Sequence, residues 1–350
     1  MTDEAIFEVL SNDPEYGVRI EVDPLPNPRY QALAHENMWQ HSASDWDFLL
    51  LRAEATGRLC VVEQGTIRLL IPNMTQAPVV QLTFGDNLLE FEADLDGRMQ
   101  AQQTTVTSWN IDQQAGQQET EAATLGADRL GSMTAQKLAE TTGTAQQSIH
   151  YGGDLQVAEA RLLGYAQMQR QALGKIRGTG KIAGTAAVVP GKVVTLSGLG
   201  KKWNGSAFVS GVRHEFVEGR WNTYIQLGLS PQPHAVQYPV HAPSTAHLLP
   251  AVQGLMYGTV VSYPQSTGGY ELVEVELAAA TATTEAPPTL YARLASFYAG
   301  HKGGAVFRPE VGDEVVLGFV EGEPRAAVLL GALYNSQNTP YWGLSAAGPP

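Results

Sequence analysis

Apolar and polar positions along this chain follow two rhythms. Near the start, Ala5, Ile6, Val9 and Leu10 recur at helical spacing behind Thr2, a natural N-cap, with Asp3 and Glu4 at the positive end of the helix dipole. A short helix is predicted there. Ser44 opens a second helix, with Asp47 three residues on as a variant of the capping box and Gly57 as its stop. The rhythm then shortens to strands at 59–62 and 67–71. Between Val79 and about Asn110, Glu90, Glu92 and Asp94 alternate with Leu89, Phe91, Ala93 and Leu95, as in strands with one wet face. Residues 111–153 are rich in Gln, Thr, Ala and Gly, and read as mobile surface structure carrying short helices such as 134–141. Asp154 caps the strongest helical pattern, which runs to about Leu173 with Leu155, Ala158, Leu162, Tyr165 and Ala172 as its buried stripe. Strands return at 176–185, 193–197, 207–216 and 222–229.

Prolines 231, 233, 239, 243 and 250 then interrupt all periodicity, and 231–251 reads as a hinge-like connector. Five further strands follow, at 255–263, 270–277, 290–295, 314–319 and 326–330. That density suits a small Greek-key barrel of the OB type, with Val315, Leu317, Phe319, Val328 and Leu330 filling its interior. Pro309 fixes φ before a turn at Gly312-Asp313, and Gly312 and Gly331 read as places where a turn or a close backbone approach requires glycine.

Composition narrows the function classes. With 43% hydrophobic and 16% charged residues, the 350-residue chain can bury a sizeable core. A net charge of −13 argues against nucleic acid as a general partner, since phosphate binding needs clustered Lys and Arg. Cys60, the single cysteine, excludes an intrachain disulfide, and its apolar neighbours Leu59, Val61 and Val62 predict a buried thiol. No apolar run reaches the roughly 18 residues of a spanning helix, and the acidic start lacks a signal-peptide pattern. The expected route is assembly in the cytoplasm, with any passage outward by other means.

Two groups of words resemble one family. Ser44-Asp45-Trp46-Asp47-Phe48-Leu49, followed by Glu54 and Gly57, is similar to the hub helix of spike proteins from contractile injection machines. So are the strand words 84–91, 190–200 and 205–214 that follow in the family's order. Residues 308–319, with Pro309, Gly312 and Asp313, and 328–335, with Gly331 and Tyr334, resemble the C-terminal barrel of the same proteins. These are the VgrG proteins of type VI secretion, phage baseplate hub-spikes and extracellular injection particles. The resemblance implies a mainly β fold with a few helices: a tail-hub β-barrel region over 1–230, an OB barrel over 252–336 and a tail over 337–350. It implies a homotrimer that joins the inner tube and baseplate to a membrane-puncturing PAAR-type tip protein, with effector cargo as a further partner. Against the family's pattern, the first hub barrel looks incomplete and the C-terminal needle looks absent, so a fragment is expected.

Motifs for chemistry fall short. His214-Glu215 begins like a zinc-protease helix, but Glu218 stands where the second histidine belongs, and the segment reads as a strand. Residues 198–202 lack the glycine and hydroxyl of a phosphate loop and read as a hairpin turn. Gly343 to Gly348 misses a nucleophile elbow around Ser345 by one residue, and 300–304 reads as a flexible barrel loop. The eight histidines show no metal-ligand spacing. The paired carboxylates Asp45 with Asp47 and Glu90 with Glu92 read as solvated groups. No cofactor, metal or enzymatic activity is predicted. The alternative is an OB module binding oligosaccharide or oligonucleotide, which would need basic and aromatic residues on one barrel face. From residue 251 onward the only cations are Arg293, Lys302, Arg308 and Arg325, against nine Asp and Glu.

Overall fold

The computed structural model describes residues 1–15, 17–30, 34–35, 38–41, 43–110, 112–122, 129–240, 249–265, 271–278 and 288–340. The predicted tail around Ser345 and the middle of the proline-rich stretch lie outside them. The chain divides into two compact units, Met1–His241 and Ala242–Pro350.

The first unit begins with α1 (Asp3–Ser11), β1 (Arg19–Val22), a 3-10 turn at Pro28–Tyr30 and α2 (Asp45–Ala55). It continues through β2 (Leu59–Glu63), β3 (Thr66–Leu70), β4 (Gln81–Thr83), β5 (Leu88–Leu95), β6 (Gln103–Asn110) and β7 (Ala115–Ala122). Then come α3 (Ala135–Thr142), β8 (Gln146–His150), α4 (Val157–Gly174), β9 (Ile176–Ala183), β10 (Val193–Ser197), β11 (Gly205–Val217), β12 (Arg220–Leu227) and α5 (His234–Gln237). Thr2 caps α1 as predicted, its side chain accepting from the Ala5 amide. The buried face of α1 is Ile6 and Phe7, however, and Val9 is exposed.

The central layer is a six-stranded sheet ordered β4-β10-β11-β12-β9-β5, whose two edge strands meet at a bridge between Phe84 and Leu88. Inside it Leu82, Leu88, Ile182, Val194, Leu196, Ile225 and Leu227 form the main core, while Glu92 and Asp94 point to water. A three-stranded sheet, β1-β3-β2, carries α1 and α2, with Phe7, Leu49, Ala53 and Leu69 buried between them.

Residues 111–153 differ most from the sequence reading. Instead of mobile surface they supply β7, α3 and β8, and β7 and β8 flank β6 in a sheet ordered β7-β6-β8. Helix α4 packs on β6 and β7. The polar composition misled the pattern because Glu121 on β7 is buried with partners, as are Gln169 and Gln171 on α4. Glu121 is buried, accepting from Arg29 Nη2 at 2.6 Å and from the Tyr30 hydroxyl at 3.1 Å. Helix α4 starts later than expected, with Gln156 rather than Asp154 at its cap, and is buried on most sides rather than along one stripe. Lys175 closes its C-terminal end, buried, with Nζ 2.9 Å from the Met133 carbonyl and 3.3 Å from that of Leu130. A cation there complements the negative helix end.

The second unit is a closed five-stranded barrel built from β13 (Met256–Ser262), β14 (Leu272–Leu277), β15 (Thr289–Leu294), β18 (Glu314–Phe319) and β19 (Ala327–Leu333), ordered β13-β14-β15-β19-β18. The segment read as a flexible loop is a hairpin, β16 (Tyr298–Gly300) with β17 (Gly303–Ala305). Val260, Val273, Val275, Ala292, Val315, Leu317, Ala327 and Leu329 fill the interior. Burying a side chain such as Leu317 contributes roughly 2 kcal/mol. Phe319 packs half-buried against this core, but the predicted inward set on the last strand is off by one. Ala327 and Leu329 face the core and Val328 and Leu330 do not; Val316 pairs with Gly331 and Leu317 with Leu329, which also makes Leu330 the extra residue of a β-bulge.

Candidate functional site

The barrel motif residues Pro309, Gly312 and Asp313 occupy one turn that is stitched to two other segments. Asp313 Oδ2 accepts from the Glu310 amide at 2.7 Å, and the Asp313 amide returns to the Glu310 carbonyl at 3.0 Å. The Gly312 amide donates to Val260 O at 2.9 Å, and the Val260 amide to Asp313 O at 3.0 Å, which ties the turn to β13. Gly312 has φ +97°, where a side chain would be strained. Asn338 Nδ2 reaches Asp313 Oδ1 at 3.0 Å, and Asn335 Nδ2 reaches Glu314 Oε2 at 3.0 Å. The turn just beyond Tyr334 is thereby held against the Pro309–Asp313 turn. The Tyr263 hydroxyl donates to Pro309 O at 2.5 Å, and burial pushes that phenol up from its ordinary pKa.

Gly331 sits in β19 with nothing within 4 Å of where a Cβ would lie and no positive φ, so the close approach expected there is absent. The crowded glycine is Gly258 on β13, whose Cβ would meet Val275 Cγ1 at 2.4 Å and Glu276 O at 2.7 Å. Periodicity could not single it out, since the crowding comes from a neighbouring strand.

The other motif group, Asp45, Trp46 and Phe48, begins α2 in the first unit. Ser44 Oγ accepts from the Asp47 amide at 3.0 Å and donates to Asp47 Oδ2 at 2.6 Å, which is the predicted cap. Asp45 accepts from Gln40 Nε2 at 2.8 Å. Trp46 is exposed over a groove of about 440 Å³ lined by Leu10, Val18, Ile20, Leu49 and Ile67, while Phe48 is half-buried. A clasp that the sequence reading missed ties this region to the N-terminus. Buried Asp3 accepts from Arg52 Nε at 2.6 Å and Nη2 at 3.1 Å, and His35 Nε2 lies 3.1 Å from it. Fully buried Arg58 donates to Asp23 O at 3.0 Å and to Glu4 at 2.8 Å.

Asp47 has a second role. Its Oδ1 lies 2.8 Å from His234 Nε2, and Glu54 Oε2 accepts from the His234 amide at 2.9 Å. Residues 232–238, read as part of a hinge, are therefore pinned to the first unit. The His234 contact, then that of Ser44, holds the Asp47 carboxyl below its ordinary 3.8. A depressed carboxylate contributes stability that is present above the ordinary value and is lost as pH falls through the lower native one. Asp47→Asn is expected to raise proteolytic cleavage within 231–240 at pH 7 and to flatten its increase below about pH 4. Unchanged cleavage and pH dependence would exclude the pin.

Among the described residues no group of three or more His, Cys, Asp or Glu side chains could hold a metal. His214 lies on β11 with Nδ1 3.0 Å from Thr223 Oγ1, beside Trp221. Burial pushes the Cys60 thiol up to about 11, so it stays protonated and unreactive near neutral pH. Among the described residues no helix is long and apolar enough to cross a membrane.

Residues 257–334, the barrel with its stitched turn, match the family of type VI secretion system/phage-baseplate injector OB domains. Within 50 residues the chain is 46% identical to the type VI secretion system spike protein VgrG5 of Pseudomonas aeruginosa, a match spanning 14% of this chain and 6% of that protein. The fold is mainly β and includes an OB barrel, and over that barrel the chain is similar to phage tail-like, VgrG-type spike proteins. Over residues 1–218 it matches the model of the Alg8 N-terminal domain, and the chain belongs to that family. Solved structures with some likeness include a tail protein from Neisseria meningitidis MC58, at 15% identity and TM-score 0.47, covering 65% of this chain and 67% of that one. Another is the 43 kDa tail protein of prophage MuSo2 from Shewanella oneidensis, at 12% identity and TM-score 0.45, covering 66% and 65%.

Proposed function

We propose that this chain is the hub and spike subunit of a contractile injection machine, joining the inner tube and baseplate to the membrane-puncturing tip. The observation that carries the reading is the closed barrel with the stitched Pro309–Asp313 turn, in the injector OB family. A tip that punctures an envelope must be stiff, and a closed barrel with its turns tied together leaves few free strand edges. Residues 1–230 form the hub region, 231–251 the connector and 252–336 the OB barrel. The subunit acts as a homotrimer, meets inner-tube and baseplate proteins at the hub, and carries a PAAR-type tip protein and effector cargo at the far end. It assembles in the cytoplasm and leaves the cell as part of the particle.

The oligonucleotide alternative would rest on four cations from residue 251 onward, two of which are already paired. On the barrel, Arg325 is paired with Glu323 at 2.8 Å and Arg308 with Glu271. Light scattering on the spike is expected to give three times 37.6 kDa. A stable monomer at micromolar concentration would exclude the trimer. Deleting the gene is expected to abolish sheathed particles, and intact particles in its absence would exclude the structural role.

A further inference from the structure

Strands β15 and β19 pair in parallel over only two positions, Arg293 with Val328 and Leu294 with Leu329, and the Ala295 amide then bonds to Leu329 O. Beyond Leu329 the two strands splay apart. Among the described residues no strand pairs with Leu330–Leu333 on that side, although β18 holds the other. The splay opens a groove of about 510 Å³ whose walls include Phe297, Phe307, Leu330, Leu333 and Tyr334. Phe297 and Phe307 flank the β16–β17 hairpin and stack with ring centroids 5.8 Å apart, yet they are 82% and 72% exposed. Tyr334 is 65% exposed. Leu330, outward on β19, adds to this surface, and Gly318 lets it approach Leu255.

A strand edge that is apolar, free of proline and charge, and open on one side is a template for pairing, and soluble chains blunt such edges unless they use them. We propose that the free edge of β19 and its aromatic groove form the face through which the OB barrel packs against a second copy of this chain. The proposal rests on the trimer reading above and adds the surface to it. Two observations favour a second copy over another occupant. Each copy carries a net charge of −13, so a self-contact must use a neutral surface to avoid burying like charges. The groove's lining holds one charge of each sign, Arg308 and Asp313, so this face carries no net charge, whereas β14 and β15 present Glu274, Glu276 and Arg293. The six apolar side chains named here also expose on the order of 700–800 Å², close to the roughly 800 Å² per partner buried in a stable protein contact.

The test uses the whole chain with Leu330→Lys and, separately, the double variant Phe297→Ser with Phe307→Ser. Tyr291→Lys, on the exposed side of β15, is the control. Sedimentation over a concentration series is expected to show the first two raising the half-association concentration at least tenfold, with unchanged circular dichroism and melting, while Tyr291→Lys leaves it unaltered. Hydrogen exchange at the amides of 330–333 is expected to slow as wild-type protein associates. If both groove variants associate like wild type, the face is wrong and the trimer reading stands. If the wild-type chain is a monomer at about 100 μM, above the concentrations at which stable oligomers persist, both readings fall. If the amides are equally protected in dilute monomer, the chain's own residues cover the edge and the proposal is overturned.

Discussion

Gly258→Val is expected to unfold the barrel, while Gly331→Val leaves its stability within about 0.5 kcal/mol of wild type. The first substitution drives carbon into Val275 Cγ1, enclosed in the barrel core, and into the backbone oxygen of Glu276, fixed by the pairing of β13 with β14. That oxygen cannot retreat without breaking the ladder, so the cost is about 3 kcal/mol or more. At Gly331 the same side chain meets nothing within 4 Å. Chemical denaturation of the two variants side by side decides the matter. Equal losses would mean that the barrel is not limited by backbone approach at β13, and Gly312→Val, at about 1–3 kcal/mol for its positive φ, would then rank with both.

In the first unit a large effect is expected at Gly228, where β12 hands the chain on beneath the end of α4. It has φ +73°, and a Cβ there would lie 2.2 Å from Ile176 O and 2.8 Å from Leu173 O. Its amide bonds to Phe208 O, and the next amide, Leu229, to Leu173 O, so the crossing cannot slide. Gly228→Ala combines left-handed strain with a backbone clash, at about 3 kcal/mol or more. The expected readout is a matching fall in the urea midpoint of this unit. A fall worth less than about 1 kcal/mol would mean that the α4–β12 crossing yields, contrary to its hydrogen bonds.

Where burial followed a simple period, the elements were legible in advance. The caps at Thr2 and Ser44, the wet edge Glu92 and Asp94 of β5, and the inward Val315 and Leu317 all followed from spacing. Two of the failures share one cause, a polar residue doing what the pattern assigns to an apolar one. β7 reads as solvent-exposed because Glu121 is polar, yet that carboxylate is buried beside Arg29 and Tyr30. Helix α4 is buried on several sides, so glutamines such as Gln169 and Gln171 lie inside and blur its stripe. Leu330 is apolar and outside, because β19 turns Ala327 and Leu329 inward, and a continuous apolar run gives no local signal of which alternate set faces the core. In the motif groups, the word around Asp313 announced a turn. Its ties to Val260 and Asn338 depend on distant residues, as does the pin from Asp47 to His234.

The strand order of the central sheet also sets when this protein can begin to fold. β4 and β5 are among its earliest strands, yet among the described residues, apart from the single Phe84–Leu88 bridge, β4 pairs with β10 alone, with Thr83 and Ser197 114 positions apart, and β5 with β9 alone. During synthesis the early strands must wait for the stretch that ends with β12. At about 5–20 residues per second, that delay is on the order of ten seconds. Meanwhile Leu82 and Leu88, later the centre of the core, stand in water on unpaired strands. Ribosome-bound chains arrested before residue 193 should therefore be the species that chaperones hold and that aggregates form from. Chains released beyond residue 230 should escape both.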